Sequence, residues 1–123
     1  VIMNQQTVDI FNPKTIRATM GSIFRVPFVY VPELSPVLTQ MHEKGIHTYA
    51  AHLKGQKYYD SFSFREPTAF LIGNEGNGLT KEISDQAGQY LKIPMEGKVE
   101  SLNASIAAAL LMYEAHRQRS ARL

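Results

Sequence analysis

The chain has 123 residues, of which 44% are hydrophobic and 20% are charged, and its net charge is +2. This composition suits one compact globular domain with a real core and is too hydrophobic for a disordered chain. The sequence contains no cysteine, which excludes disulfides, zinc clusters and thiol nucleophiles and favours an intracellular, cytoplasmic location. No apolar run reaches the roughly 18 residues of a membrane span, so we expect no membrane partner.

Predicted helices and strands alternate along the whole chain. In chain order they are a helix at 11–24, a strand at 25–31, a helix at 35–45, a strand at 46–52, an exposed loop at 53–67, a strand at 68–73, a helix at 79–89, a strand at 90–95 and a helix from about 101 to about 119. Asn12, Ser35 and Thr80 are predicted helix caps, and Gly45 is a predicted helix stop. The strand at 68–73 is continuously apolar, as expected for a strand covered on both faces.

This alternation predicts an α/β fold with a mostly parallel sheet and helices on both faces. Ligands of such sheets usually bind beyond the carboxyl ends of the strands. Two loops follow predicted strands, GNEGNG at 73–78 and PMEGKVESLNAS at 94–105. We therefore expect both loops to line one pocket.

The glycine-rich loop at 73–78 does not match the known phosphate-binding patterns. Gly73 and Gly78 have the spacing of a Walker A loop, but Leu79 stands where that loop needs lysine. The dinucleotide fingerprint G-x-G-x-x-G is also absent, and Glu75 would repel a pyrophosphate. Glu75 either accepts hydrogen bonds from a neutral or cationic ligand or caps the turn that follows it.

Other candidate catalytic groups are weaker. His42, His47 and His52 recur every five residues, which does not place two of them on one helical face, and no metal-binding H-E-x-x-H is present. Ser101 and Asn103 lack the G-x-S-x-G context of a serine hydrolase. They either cap the last helix or present a hydroxyl and an amide to a ligand.

The last helix is apolar on nearly all sides from Ala104 to Met112. A helix without a polar face is buried on several sides. Packing against the sheet explains part of this pattern, and a homodimer interface through the same helix explains it more fully.

Three segments taken together resemble the SpoU-type (TrmH-like) branch of the SPOUT RNA methyltransferases. They are NPKTIRATMGSIFRVP at 12–27, FLIGNEGNGLT at 70–80 and IPMEGKVESLNASIAAALLMYE at 93–114. The second and third resemble motifs 2 and 3 of that family, and the resemblance covers essentially the whole chain.

The resemblance implies transfer of a methyl group from S-adenosylmethionine to a ribose 2′-hydroxyl of rRNA or tRNA, which leaves S-adenosylhomocysteine. It implies a C-terminal trefoil knot, a homodimer and no metal. The implied catalytic residues are Glu75, Ser101 and Asn103. The implied cofactor-binding residues are Leu71, Ile72, Gly73, Asn74, Gly76, Ile93, Pro94, Met95, Leu102, Ala104 and Ser105.

Motif 1 of the family, N-x-G-x-x-x-R, has no counterpart in the chain. Asn12 and Arg17 are five apart with no internal glycine, so we interpret 12–27 as the block after motif 1 and expect the chain to be a fragment. Arg17 and Arg25 are the predicted RNA contacts, ahead of the arginines near the C-terminus. The alternatives are a non-catalytic knotted module that binds S-adenosylmethionine or RNA, and a nucleotide-binding regulatory domain.

Overall fold

The computed structural model describes residues 1–120. They form two compact units, Val1–Pro36 and a second unit that begins at Val37. The last three residues, which include Arg122 of the predicted basic C-terminus, lie outside the described part of the chain.

The first unit holds a short parallel pair of strands. Its elements are β1 (Ile2–Asn4), α1 (Pro13–Thr19), a 3-10 turn (Ser22–Phe24) and β2 (Val29–Val31). Asn12 caps α1 as predicted, because its side chain accepts a hydrogen bond from the backbone N–H of Lys14 at 2.9 Å. The predicted extent of this helix was wrong: it ends at Thr19, and the next residue, Met20, has a left-handed φ of 46°.

A three-stranded parallel sheet organises the second unit. The remaining elements are α2 (Ser35–Glu43), β3 (His47–Ala51), a 3-10 turn (Tyr59–Ser61), β4 (Thr68–Leu71), α3 (Lys81–Gln86), β5 (Gln89–Leu91) and α4 (Ala104–Ser120). The strand order is β4-β3-β5, and both pairings are parallel. The predicted parallel α/β class is thereby confirmed, although β4 lies at an edge and its residues are half-buried rather than covered on both faces.

Helix boundaries show how far the capping patterns carry. Thr80 caps α3 as predicted, because its hydroxyl accepts from the N–H of Ile83. Gly45 has a φ of 71° two residues after the end of α2 and confirms the predicted stop. α2 begins at Ser35, the residue predicted to start it. The last helix begins at Ala104, so Ser101 lies before it.

The prediction that residues 53–67 form an exposed loop was wrong near the end of that segment. Phe64 is fully buried, and its ring packs edge-on against Tyr49 and Phe70, with centroids 5.1 Å and 5.0 Å away. Leu91 of β5 and Leu111 of α4 complete this core. The buried ring of Phe64 thus holds this loop against the core between the sheet and α4.

Candidate functional site

The carboxyl ends of β3, β4 and β5 open into a cleft of about 530 Å³. Because parallel strands end at the same edge of a sheet, the loops that follow them meet there. The loop after β4 and the long segment between β5 and α4 form most of its walls, as the two-loop prediction required.

The glycine loop closes on itself through Asn74. Its side-chain oxygen accepts from the N–H of Asn77 at 2.7 Å, and its backbone oxygen accepts from the N–H of Gly78 at 2.9 Å. Asn74 therefore caps this turn, so the alternative that gave Glu75 this role was wrong. The side chain of Glu75 is free to face the cleft.

Gly73 is required by this closure. A Cβ at Gly73 would stand 2.2 Å from the carbonyl carbon of Gly78 and 2.3 Å from the nitrogen of Leu79. Backbone at that distance leaves no room for any side chain. The loop's own backbone therefore demands glycine at position 73.

Asn103 joins the two walls of the cleft. Its Oδ1 caps α4 by accepting from the N–H of Ser105 at 3.0 Å and of Ile106 at 3.4 Å. Its Nδ2 donates to Glu75 Oε1 at 3.4 Å. The structure thus brings together two of the predicted catalytic residues, and Ser101 lines the same cleft.

Apolar side chains supply much of the remaining surface. Those at the cleft include Ile72, Leu79, Ile93, Met95 and Leu102. Two charged residues, Glu100 and Lys92, also line the cleft. The cleft can therefore take a flat, partly apolar ligand that also carries polar or charged groups.

The predicted site residues divide into two groups by position. Those that line the cleft are Ile72, Gly73, Asn74, Glu75, Ile93, Met95, Ser101, Leu102, Asn103 and Ala104. Those that lie in the same segments without lining it are Leu71, Gly76, Pro94 and Ser105. Their roles stay predictions.

The sequence analysis missed the end of β3 as a third wall. Ala51, His52 and Leu53 line the cleft. His52 stacks on Tyr90, with ring centroids 4.8 Å apart, and its Nδ1 accepts from the N–H of Lys54 at 3.1 Å. The sequence predicted the strand at 46–52, but its place between β4 and β5 follows only from the order of the sheet.

The predicted RNA-contacting arginines lie in the first unit. Arg17 belongs to α1 and Arg25 follows the 3-10 turn, and both are exposed. Within residues 1–120 no salt bridge involves Arg17, and Asp9 instead accepts from the N–H of Phe11. The side chain of Phe24, next to Arg25, is 86% exposed.

The C-terminal arginines have structural partners. Arg117 pairs with Glu114 at 2.7 Å, and the hydrogen bonds from Arg117 and Gln118 lower the pKa of Glu114 to about 2. Arg119 donates to the carbonyl oxygens of Phe64 at 2.8 Å and Glu66 at 2.9 Å. Both arginines thus have partners within the fold, and the expectation that RNA binding depends less on this end stays a prediction.

The described residues 1–120 contain no cluster of three or more histidine or acidic side chains that could hold a metal ion. None of their helices is both long and apolar enough to cross a membrane.

A parallel sheet flanked by helices, with polar side chains gathered in a cleft at the strand ends, defines an α/β protein built to bind a ligand at one sheet edge. Residues 1–113 match the model of the SpoU rRNA methylase family. The chain belongs to that family, and the predicted SPOUT fold class is confirmed, while its trefoil knot stays a prediction of the resemblance.

Relatives and solved structures agree with this assignment. A protein of Staphylococcus haemolyticus assigned to the TrmH family of tRNA/rRNA methyltransferases is 38% identical over 103 residues, which are 84% of this chain and 41% of the relative. The SpoU methyltransferase AviRb of Streptomyces viridochromogenes, solved with S-adenosylmethionine, is 34% identical with a TM-score of 0.88, covering 98% of this chain and 47% of AviRb.

A solved RNA 2′-O ribose methyltransferase is 33% identical with a TM-score of 0.82, covering 95% of this chain and 45% of that one. The chain thus spans less than half the length of these relatives.

Proposed function

We propose that this chain forms part of an enzyme that transfers a methyl group from S-adenosylmethionine to a ribose 2′-hydroxyl of rRNA or tRNA. The observation that carries the proposal is the contact of Asn103 with Glu75, in a cleft at the strand ends that Ser101 also lines. Membership of the SpoU family and the likeness to a 2′-O ribose methyltransferase support it. With an RNA substrate of this kind we also propose a cytoplasmic location.

The cleft fits S-adenosylmethionine by size and by chemistry. Its volume of about 530 Å³ lies within the range of small-molecule sites, about 300 to 1,000 Å³. Apolar walls at Ile72, Ile93 and Leu102 suit an adenine ring. The carboxylates of Glu75 and Glu100 suit a ligand that carries positive charge.

Within this proposal the chain's own residues bind and orient. The cofactor, when bound, supplies an activated methyl group, so positioning of the acceptor hydroxyl carries much of the rate. Glu75 can accept a hydrogen bond from a ribose hydroxyl, and Ser101 can accept or donate one. The guanidinium group of arginine keeps its proton at neutral pH and therefore cannot act as a base. Arg17 is better suited to bind a phosphate.

The proposed RNA contacts are Arg17 and Arg25. Between Ile10 and Pro32 the chain carries three basic residues and no acidic residue, so this segment attracts a polyanion. Phe24 adds an exposed aromatic ring beside Arg25, and nucleobases stack on such rings.

We also propose a homodimer through α4. Ile106 and Met112 are each 57% exposed and Tyr113 is 73% exposed, on a helix whose Leu111 is fully buried. Large apolar side chains at this exposure favour a partner surface. A second copy of the chain is the partner that family membership favours.

A methylation assay on the full-length protein tests the proposed reaction. The protein is incubated with methyl-labelled S-adenosylmethionine and either ribosomal RNA or tRNA, and 2′-O-methylation is detected as a dinucleotide that resists alkaline hydrolysis. Glu75→Gln should strongly reduce incorporation, to a residual rate that can still be measured, while retaining calorimetric binding of S-adenosylhomocysteine.

Two results would replace the proposal by another function. Binding of S-adenosylhomocysteine or RNA without any incorporation would identify a non-catalytic binding module. Tight binding of ATP with no binding of S-adenosylhomocysteine would identify a nucleotide-binding regulatory domain.

A further inference from the structure

We propose that Asn103 is a positioning residue that holds Glu75 in the cleft, and that Glu75 alone of the pair accepts the hydrogen bond of the substrate hydroxyl. This inference rests on the proposed function and divides the work between two residues that the sequence analysis placed together as catalytic.

The orientation of the Asn103 amide follows from its partners. The N–H groups of Ser105 and Ile106 can only donate, so the atom that faces them at 3.0 Å and 3.4 Å is the oxygen. The Ser105 hydroxyl donates to the same oxygen at 2.5 Å. The NH₂ group consequently faces Glu75.

The Asn103 oxygen has no remaining capacity for a substrate. An amide oxygen offers two lone pairs, and three donors from the first turn of α4 already converge on Oδ1. A ribose hydroxyl that must donate its proton therefore cannot donate it to Asn103. Only the Asn103 nitrogen could face a ligand, and an amide nitrogen does not accept hydrogen bonds.

Glu75 has the capacity that Asn103 lacks. A carboxylate accepts about four hydrogen bonds. In the described part of the chain, the carboxylate of Glu75 accepts one, from Asn103. Glu75 is exposed and lines the cleft. Its loop is held to the start of α4 by this contact, so Asn103 sets where the carboxylate stands.

Substitutions at Asn103 can separate capping from the contact with Glu75. Asn103→Ser and Asn103→Asp retain an oxygen that caps a helix well but lose the NH₂ donor. Asn103→Ala loses both. We expect the Ser and Asp variants to unfold near the wild-type Tm and the Ala variant to unfold at a lower one.

Kinetics of the full-length enzyme then test the division of roles. The Ser and Asp variants should lower kcat by about 100-fold, the scale of a small misplacement of a reacting group, with KM for RNA within threefold of wild type. Once Glu75→Gln is present, Asn103→Ser should have no further effect on kcat, because Asn103 acts through Glu75. If the loss of kcat in the double variant equals the product of the two single losses, Asn103 acts directly, and the inference is overturned.

A measurement without catalysis keeps the inference separate from the proposed reaction. In a ¹⁵N NMR spectrum, Glu75→Gln should shift the side-chain NH₂ resonances of Asn103, while the amides of Ser105 and Ile106 keep their protection from hydrogen exchange. Unchanged NH₂ resonances would overturn the inference. A shift in a protein that methylates no RNA would retain the contact and reject the proposed function.

Discussion

The N–H of Phe64 donates to Gln118 Oε1 at 2.7 Å, across 54 positions of the chain. The same side chain returns a hydrogen bond from Nε2 to the carbonyl of Phe62 at 2.9 Å. The side-chain amide of Gln118 thus pairs with one backbone N–H and one backbone carbonyl of this loop, as the backbone of a neighbouring strand would. A polar residue of α4 secures the loop whose aromatic ring fills the core.

Gln118→Ala should therefore lower the free energy of unfolding by about 1 to 3 kcal/mol, because it leaves backbone groups beside the buried Phe64 without partners. Urea unfolding of the full-length protein measures the change. Gln56→Ala is the matched control, since Gln56 is exposed on the same loop and should change stability by less than about 0.5 kcal/mol. Equal effects of the two substitutions would contradict this role of Gln118.

Glu114 should make stability depend on pH in the acid range. The pKa of its carboxyl is about 2 in the folded chain, against an ordinary value of 4.5, because Arg117 and Gln118 donate hydrogen bonds to it. The folded state thus favours the ionised form, so this stabilisation is fully present above about pH 4.5 and is lost as the pH falls towards 2.

Glu114→Gln should consequently destabilise the protein most at neutral pH. The difference in Tm between wild type and variant should shrink as the pH is lowered from 6 to 2, as followed by circular dichroism. A difference that stays constant over this range would show that the ionised carboxylate contributes nothing.

Gly73 and Gly76 should respond in opposite ways to alanine, although only two residues separate them. A Cβ at Gly73 would meet backbone at 2.2 Å, whereas at Gly76 the nearest atom is the Asn74 side-chain oxygen at 3.6 Å. Gly73→Ala should therefore distort the loop and weaken binding of S-adenosylhomocysteine at least tenfold by calorimetry, and Gly76→Ala should bind as wild type. Equal affinities would show that the loop opens at no cost.

This pair of glycines shows how far the sequence could go. The spacing of residues 73–78 identified a loop that leaves a strand, and the cap pattern at Thr80 placed the helix after it, because both are local. Which glycine has no room depends on backbone five residues away, and the burial of Phe64 depends on Gln118 in another element. The third wall at His52 required knowing that β3 lies between β4 and β5, which no local pattern reports.

The dimer proposal predicts a change of mass. Met112→Glu places a charge on the exposed side of α4, where Met112 is 57% exposed, and should shift the full-length protein from dimer to monomer in sedimentation at micromolar concentration. Gln40→Glu, at an exposed position of α2, is a control that adds the same single negative charge. A wild-type protein that sediments as a soluble monomer would exclude the dimer.

The RNA proposal predicts that Arg17 contributes to the salt dependence of binding. One phosphate contact adds about 0.7 to 0.9 to the slope of log affinity against log salt concentration. Arg17→Ala in the full-length protein should reduce the slope by that amount and slow methylation, with little loss of stability because Arg17 is exposed and in no described salt bridge.

Arg119→Ala is the matched control for Arg17→Ala, because it removes the same charge from a residue that bonds the carbonyls of Phe64 and Glu66. It should lower stability and leave the salt slope unchanged. If instead Arg17→Ala lowers stability at a constant slope, Arg17 serves the fold. The catalytic proposal would then rest on Glu75, Ser101 and Asn103 alone. If the salt slope instead falls with Arg119→Ala, the RNA contact lies at the end of α4.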